Sequence, residues 1–413
     1  MKKLLIIGLI VLLAAAGASV MTGRVFEEQL ANFEAEMNKD PRLDAVSHSV
    51  DTGLFSSSGS MTVSMYLEDN QQLIIESPWQ ASYLPGWVNY QGETLVTLAA
   101  EGEVINLLEE LDLGELKYQG KAGWKKATFS MAVQPFLFED KYAKLDLSGL
   151  DLAATYHYSG QQEGKLIAKN LILVEKNQQV TELAFKDLAL TWDQQGSYPF
   201  VQGDAELKAD EINFSSPQGV VNLAKSTWSQ QLVFNEQNFD YSMSLDLGEI
   251  QSQGENLGTG KLSLKTANFN GQAMADLLEL LATNPNYDQG EEATNQAVMA
   301  ALDQLLGGSP AIELEELSLN IQMPFVLEQD AWGELSFDGT NLPVNYVQQL
   351  EIGRIDSDDA LGRTRLELNF SKIEPGLLML IGIPPSMLNS EADEQKLVFE
   401  AGVLELNGNP LPF

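Results

Sequence analysis

From residue 45 onward, apolar and polar residues alternate with period two, which confines most of the chain to strands covered on one face only. Met61, Val63, Met65 and Leu67 alternate with Thr62, Ser64 and Tyr66. The same spacing recurs at Leu188, Leu190 and Trp192, at Leu245 and Leu247, and at Leu262 and Leu264. It returns at Leu317, Leu319 and Ile321, and at Leu366, Leu368 and Phe370. Turn signals fall between these runs at Ser159-Gly160, Gln195-Gly196, Gly258-Thr259-Gly260 and Asn407-Gly408. The fold class expected is mainly β. Long antiparallel one-sided sheets carry a helical hairpin insertion and are preceded by one N-terminal transmembrane helix.

Helical spacing is confined to a few stretches. Met274, Leu277, Leu278 and Leu281 mark one helix over 272–282, and Val298, Leu302, Leu305 and Leu306 mark a second over 291–306. Gly307-Gly308 and Pro310 stop the second, and 283–290 reads as the loop between them. Shorter helices are expected over 104–111, 343–350 and 375–380. The resulting division is a cytoplasmic N-terminus at 1–3, an anchor at 4–21 and a juxtamembrane helix at 22–44. A β-rich region follows at 45–270, then the helical insertion at 271–310 and a β-rich C-terminal region at 311–413.

The anchor rests on an apolar run whose only polar member is Ser19. Leu4, Leu5, Ile6, Ile7, Leu9, Ile10, Val11, Leu12, Leu13, Val20 and Met21 are its bulky members. A helix rising ~1.5 Å per residue through this run nearly matches the hydrocarbon core of about 30 Å. Lys2 and Lys3 precede it, so the N-terminus is expected in the cytoplasm and the bulk outside. Ala16-Gly17-Ala18 offers a signal-peptidase site as the alternative fate. Beyond the run, Phe26, Leu30, Phe33 and Met37 form one helical stripe, read as a stalk continuing from the membrane.

Composition narrows the chemistry. There are 24 Lys+Arg against 59 Asp+Glu, a net charge of −35 over 413 residues. That field repels nucleic acid, and no nucleic-acid partner is expected. Cysteine is absent, which removes disulfides, thiolate sites and a lipoprotein anchor. The two histidines, His48 and His157, are too few and too far apart in sequence to make a histidine-based centre. The Gly254–Lys261 stretch lacks the glycine and the hydroxyl of a phosphate loop and reads as a hairpin turn. Asp356-Ser357-Asp358-Asp359 lacks the glycine of a calcium loop and reads as a solvated turn. Trp79, Tyr83, Trp87 and Tyr90 form either a ligand-facing aromatic patch or core. No catalytic residue, cofactor or metal ligand emerges.

Several short elements appear in order along the chain. Gly53-Leu54-Phe55-Ser56-Ser57 has the pattern G-[VL]-F-S-S, and Leu257-Gly258-Thr259-Gly260-Lys261-Leu262-Ser263-Leu264 has L-G-[ST]-G-K-L-x-L. Gly308-Ser309-Pro310-Ala311-Ile312 follows the helical insertion, and Gly402 to Leu406 runs into Asn407-Gly408. With the Lys-Lys start, this ordered set resembles the YdgA-type family of bacterial envelope proteins, whose domain has no established activity. The resemblance implies an inner-membrane anchor and a periplasmic domain, with no functional residues to carry over.

Strands with a continuous apolar face must bury it, against protein or against a ligand. The leading expectation is a non-enzymatic, membrane-anchored envelope protein that binds lipid or another apolar ligand in an elongated β groove. The alternatives are an interaction or assembly module engaging an envelope protein through its acidic surface, and a carboxylate-dependent hydrolase.

Overall fold

The computed structural model describes residues 19, 21–35, 37–39, 43, 45–67, 71–100, 103–110, 114–139, 141–176, 181–197, 199–217, 219–283, 292–322, 326–371 and 394–411. Of the expected anchor, only Ser19 and Met21 fall among these, and Met21 is exposed. Among the described residues no helix is long and apolar enough to cross a membrane. Of the loop expected over 283–290, Thr283 is instead helical, and 284–290, like the helix expected over 375–380, lies outside the described residues.

The fold is mainly β with antiparallel pairing, and the chain divides into two compact units, residues 1–180 with 185–198, and 181–184 with 199–413. The first unit opens with helix α1 (residues 21–35) and continues with β1 (Ala45–Thr52), β2 (Ser56–Tyr66), β3 (Gln72–Leu84), β4 (Trp87–Ala100) and β5 (Glu103–Asn106). Then come α2 (Leu107–Glu110), β6 (Leu116–Ala122), β7 (Lys126–Val133), β8 (Phe136–Glu139), β9 (Ala143–Leu147), β10 (Leu150–His157), β11 (Gln161–Glu175) and β12 (Thr181–Ser197). Pairing runs β1–β2–β3–β4–β6–β7–β10–β11, and β11 continues onto β9. The helix expected over 104–111 is instead a strand followed by a single helical turn.

One face of this sheet is built from rings laid over glycines. Val50, Gly59, Trp79, Gly92, Tyr118, Met131 and Leu152 stand in register on successive strands. In the adjacent row stand Ala81, Tyr90, Gly120, Phe129 and Ala154. Large and small residues alternate so that each ring fills the space its neighbour leaves. A Cβ on Gly120 would sit 2.3 Å from the Tyr90 ring and 2.1 Å from the Thr128 carbonyl oxygen.

Helix α1 covers this face and is no stalk. Its Phe26 ring meets Trp79 edge-on at 5.6 Å and stacks on Tyr90 at 6.0 Å, and Leu30 packs beside it. Phe33, one stripe position further on, meets Tyr156 at 6.0 Å. Polar anchors fix the helix at both ends. The Gly86 amide donates to Thr22 Oγ1 at 3.1 Å, and His48 pairs with Glu34. Between them, Glu27 Oε1 accepts from Thr52 Oγ1 at 2.8 Å and from the Tyr83 hydroxyl at 3.1 Å. The helix expected over 22–44 is therefore shorter, with β1 beginning at Ala45, and it is part of the first unit's core. The aromatic cluster divides the same way. Trp79 and Tyr83 are buried and Tyr90 is half-buried, so three of its four rings are core, while Trp87 is exposed.

Burial raises the hydroxyls of Tyr83 and Tyr118 to about 12 and pushes Tyr90 up as well. Tyrosine in an unfolded chain ionises near pH 10. Above that pH the folded unit keeps protons that the unfolded chain releases, so stability is full below about pH 10 and falls as pH rises towards 12. Alkaline titration followed by tryptophan fluorescence is expected to unfold this unit in that window, and Y83F to shallow the slope. A first unit whose stability is flat from pH 9 to 12 would contradict this.

The second unit contains β13 (Phe200–Ser216), β14 (Gly219–Phe234), β15 (Asn238–Ser252), β16 (Glu255–Ala267) and β17 (Phe269–Asn270). Helices α3 (Gly271–Thr283) and α4 (Glu292–Gly307) follow, matching the expected helical insertion. The remaining elements are β18 (Ala311–Gln322), β19 (Val326–Phe337), α5 (Tyr346–Glu351), α6 (Ser357–Arg363), β20 (Thr364–Ser371), β21 (Glu394–Glu400), β22 (Val403–Leu406) and β23 (Asn409–Pro410). Pairing runs β13–β14–β15–β16–β18–β19–β20–β21–β22–β23.

Two expectations change here. Gly258-Thr259-Gly260 lies inside β16, and the turn falls earlier, at Gln253 and Gly254, both with positive φ. Gly258 sits at a bulge with φ +143, where a Cβ would lie 1.6 Å from the Asn320 carbonyl oxygen. Asp356 is not in a solvated turn. It caps α6, accepting from the Asp358 amide at 3.2 Å, with acids in the first turn and Arg363 in the last.

Candidate functional site

Each unit presents one surface that its own packing leaves incomplete. In the second unit it is the apolar sheet face. Leu245, Leu262, Leu317, Ala331 and Phe370 stand in register on β15, β16, β18, β19 and β20. Beside them run Met243, Leu264, Leu314, Gly333, Leu368 and Leu397. A third row holds Ile312, Leu335, Leu366 and Phe399. In these rows only Ala331 is fully buried, and the large side chains remain half-buried. Ile312 and Leu335, direct cross-strand partners, are each 43% exposed.

The opposite face of the same strands is charged. Lys265 faces Glu313 at 3.9 Å, and Lys396 Nζ donates to Glu367 Oε1 at 2.6 Å. That hydrogen bond from Lys396 holds the Glu367 carboxyl below its usual range. The contrast between faces fixes the strand register, because a one-residue slip would exchange leucines for charges. The helical insertion covers part of the sheet. α3 packs on β15 and β17, and α4 packs on β17 and α5. Ala273, Ala275, Ala301 and Leu305 are buried there, while Leu278 and Leu281 of α3 stay exposed.

In the first unit the incomplete surface is polar. On the face opposite α1, Asp51, Ser58, Gln80, Gln91, Gln119, Ser130, Ala153 and Lys165 stand in register across β1, β2, β3, β4, β6, β7, β10 and β11. A parallel row holds Ser56, Ser82, Asn89, Lys121, Thr128 and Thr155. Cavities of about 1240, 1050 and 550 Å³ lie over these rows, and all three share Ser130.

The residues singled out in the sequence scatter over both units. Gly53 accepts no side-chain role: its amide donates to the Ser56 carbonyl at 2.8 Å to shape the entrance of β2. Leu54 and Phe55 are exposed there, Ser56 lines one polar cavity, and Ser57 is hydrogen-bonded to Tyr83 at 2.5 Å. Gly258, Gly260 and Lys261 lie in β16, where Gly260 stands opposite Leu247 and Leu319 and Lys261 is on the charged face. Asn407 and Gly408 make the two-residue turn between β22 and β23, both at positive φ. His48 and His157 lie in β1 and β10 and do not meet, His157 standing 3.7 Å from Glu163. Leu4, Leu5, Ile6, Ile7, Leu9, Ile10, Val11, Leu12, Leu13 and Val20 lie outside the described residues. Among the described residues no group of three or more His, Asp or Glu side chains converges as a metal site. The glutamine row was missed in the sequence. Its signal is an uncharged amide at a solvent-facing position on each of three strands.

No solved structure matches the chain. Protein YdgA of Escherichia coli (strain K12) is 23% identical over 372 residues, spanning 77% of this chain and 72% of that protein. The family described as "Bacterial protein of unknown function (DUF945)" matches residues 1–81 and 124–323. Covering most of the chain and both units, that match makes this protein a member of the DUF945 family.

Proposed function

We propose that the chain is a membrane-anchored bacterial envelope protein, without catalytic chemistry of its own, that holds an apolar chain such as a lipid tail against the leucine face of its second unit. The observation that carries this reading is the set of contiguous leucine rows left half-buried on β15, β16, β18, β19 and β20. Contiguous apolar area of this kind on a soluble unit marks a binding surface. A net charge of −35 opposes anionic headgroups, so the attraction resides in the hydrocarbon part of the ligand. The apolar run at 4–21 supplies the membrane attachment, with Lys2 and Lys3 on the cytoplasmic side and the two units in the periplasm. Because α1 is docked from Thr22 onward, the first unit follows the anchor without a stalk.

A photoactivatable fatty acid supplied to the full-length protein in membranes tests this. Crosslinks are expected on peptides carrying Leu262, Leu317 and Leu335. Labelling confined to the run at 4–21 would sink the reading.

A further inference from the structure

We infer that the polar face of the first unit binds a neutral polyhydroxylated chain, a glycan of several sugars laid across the strands. The three cavities form one trough, because the larger two share Ser58, Gln80, Gln91 and Gln119 and the third joins them at Ser130. Along its central row, from Ser58 through Gln80, Gln91 and Gln119 to Ser130, the side chains are amide and hydroxyl only. The charges flank that row: Asp51 and Lys165 end it, Glu93 faces Lys117 in one neighbouring row, and Lys121 stands singly in the other. In a chain of net charge −35, that neutrality excludes the common alternatives. An anion finds no cluster of cations, a cation finds no cluster of acids, and an apolar chain finds no leucine row. The charged face of the second unit shows what a merely solvated face carries in this protein.

The amides themselves are available. Gln80, Gln91 and Gln119 stand in register on adjacent strands, and none of their side chains makes a hydrogen bond within the described residues. Each offers two donors and an acceptor, the set that vicinal hydroxyls satisfy. Neighbouring strands lie ~4.8 Å apart, close to the length of one sugar ring in an extended chain. An extended peptide fits less well. It recognises a sheet through an unpaired strand edge, and this trough crosses the paired interior. The rings that border the trough, Trp79, Tyr90, Tyr118 and Phe129, stand in the rows packed beneath α1, and Trp192 lies over Gly164. Recognition therefore rests on the amides and hydroxyls, each sugar contributes little, and affinity rises with chain length.

The test uses the full-length protein in a detergent without a sugar headgroup, with chitopentaose and maltopentaose as probes. Calorimetric binding of at least one probe is expected at millimolar concentration, about tenfold tighter than its trisaccharide, a difference of ~1.4 kcal/mol. Q80A/Q91A/Q119A is expected to abolish binding with an unchanged melting temperature. If the triple variant melts early, Q91A alone decides, with at least about a threefold loss expected. Failure of the wild type to bind either probe, or equal binding by the variants, overturns the inference. So does selective capture of an extended decapeptide. Lipid retention by the second unit is expected to be the same in wild type and variants, so the two binding readings fail separately.

Discussion

Replacing Gly120 by valine is expected to keep the first unit from folding. The position has no room for any β-carbon, with the Tyr90 ring at 2.3 Å and the Thr128 carbonyl oxygen at 2.1 Å. The tyrosine cannot swing clear, because its hydroxyl donates to that same Thr128 carbonyl at 2.6 Å and Phe26 stacks on its ring. Both obstacles are fixed by neighbouring strands, so the added atoms must separate β4, β6 and β7. A loss above about 4 kcal/mol is expected, at the upper end for a single substitution. Urea denaturation followed by tryptophan fluorescence measures it, and a near-native midpoint would show that the ring-over-glycine packing is not rigid.

Phe26→Ala is expected to cost about 3–5 kcal/mol, the range for removing a buried aromatic from a core. Phe26 is 8% exposed and is the contact through which α1 closes over Trp79 and Tyr90. Its loss leaves a cavity between helix and sheet that two strand-borne rings cannot collapse into. The Trp79 indole nitrogen, buried without a hydrogen-bond partner among the described residues, then meets water. The expected signature is a red-shifted Trp79 emission together with earlier unfolding of the first unit. If F26A melts with the wild type and its emission is unmoved, α1 is a stalk after all.

The class of the fold was legible because period-two alternation is local: each strand announces its own two faces. The helical insertion was legible for the same reason, since 3.6-residue spacing and Gly307-Gly308 lie within single segments. What was not legible is set by register, which joins residues far apart in sequence. The stripe of Phe26, Leu30 and Phe33 was visible, but nothing in it tells a membrane stalk from a helix folded back onto β3 and β4. Trp79 stands out in the sequence only as one of a cluster of aromatics and Gly92 not at all, until their pairing across adjacent strands places one beside the other. Gly258 attracted a turn assignment that belonged to Gln253-Gly254, because a bulge glycine and a turn glycine look alike in sequence. Gln80, Gln91 and Gln119 are unremarkable singly and become a row only through two successive strand pairings.

The most direct test of ligand binding by the second unit is native mass spectrometry of the full-length protein beside an I312D/L335D variant, with lipid analysis of what each retains. Both positions are exposed, so stability is expected to change by less than about 1 kcal/mol. A charge at each is expected to repel hydrocarbon from the leucine rows. The predicted result is a lipid retained at one-to-one stoichiometry by the wild type and reduced at least about tenfold in the variant. The same lipid at the same occupancy on both proteins would contradict the account and assign it to the apolar run at 4–21.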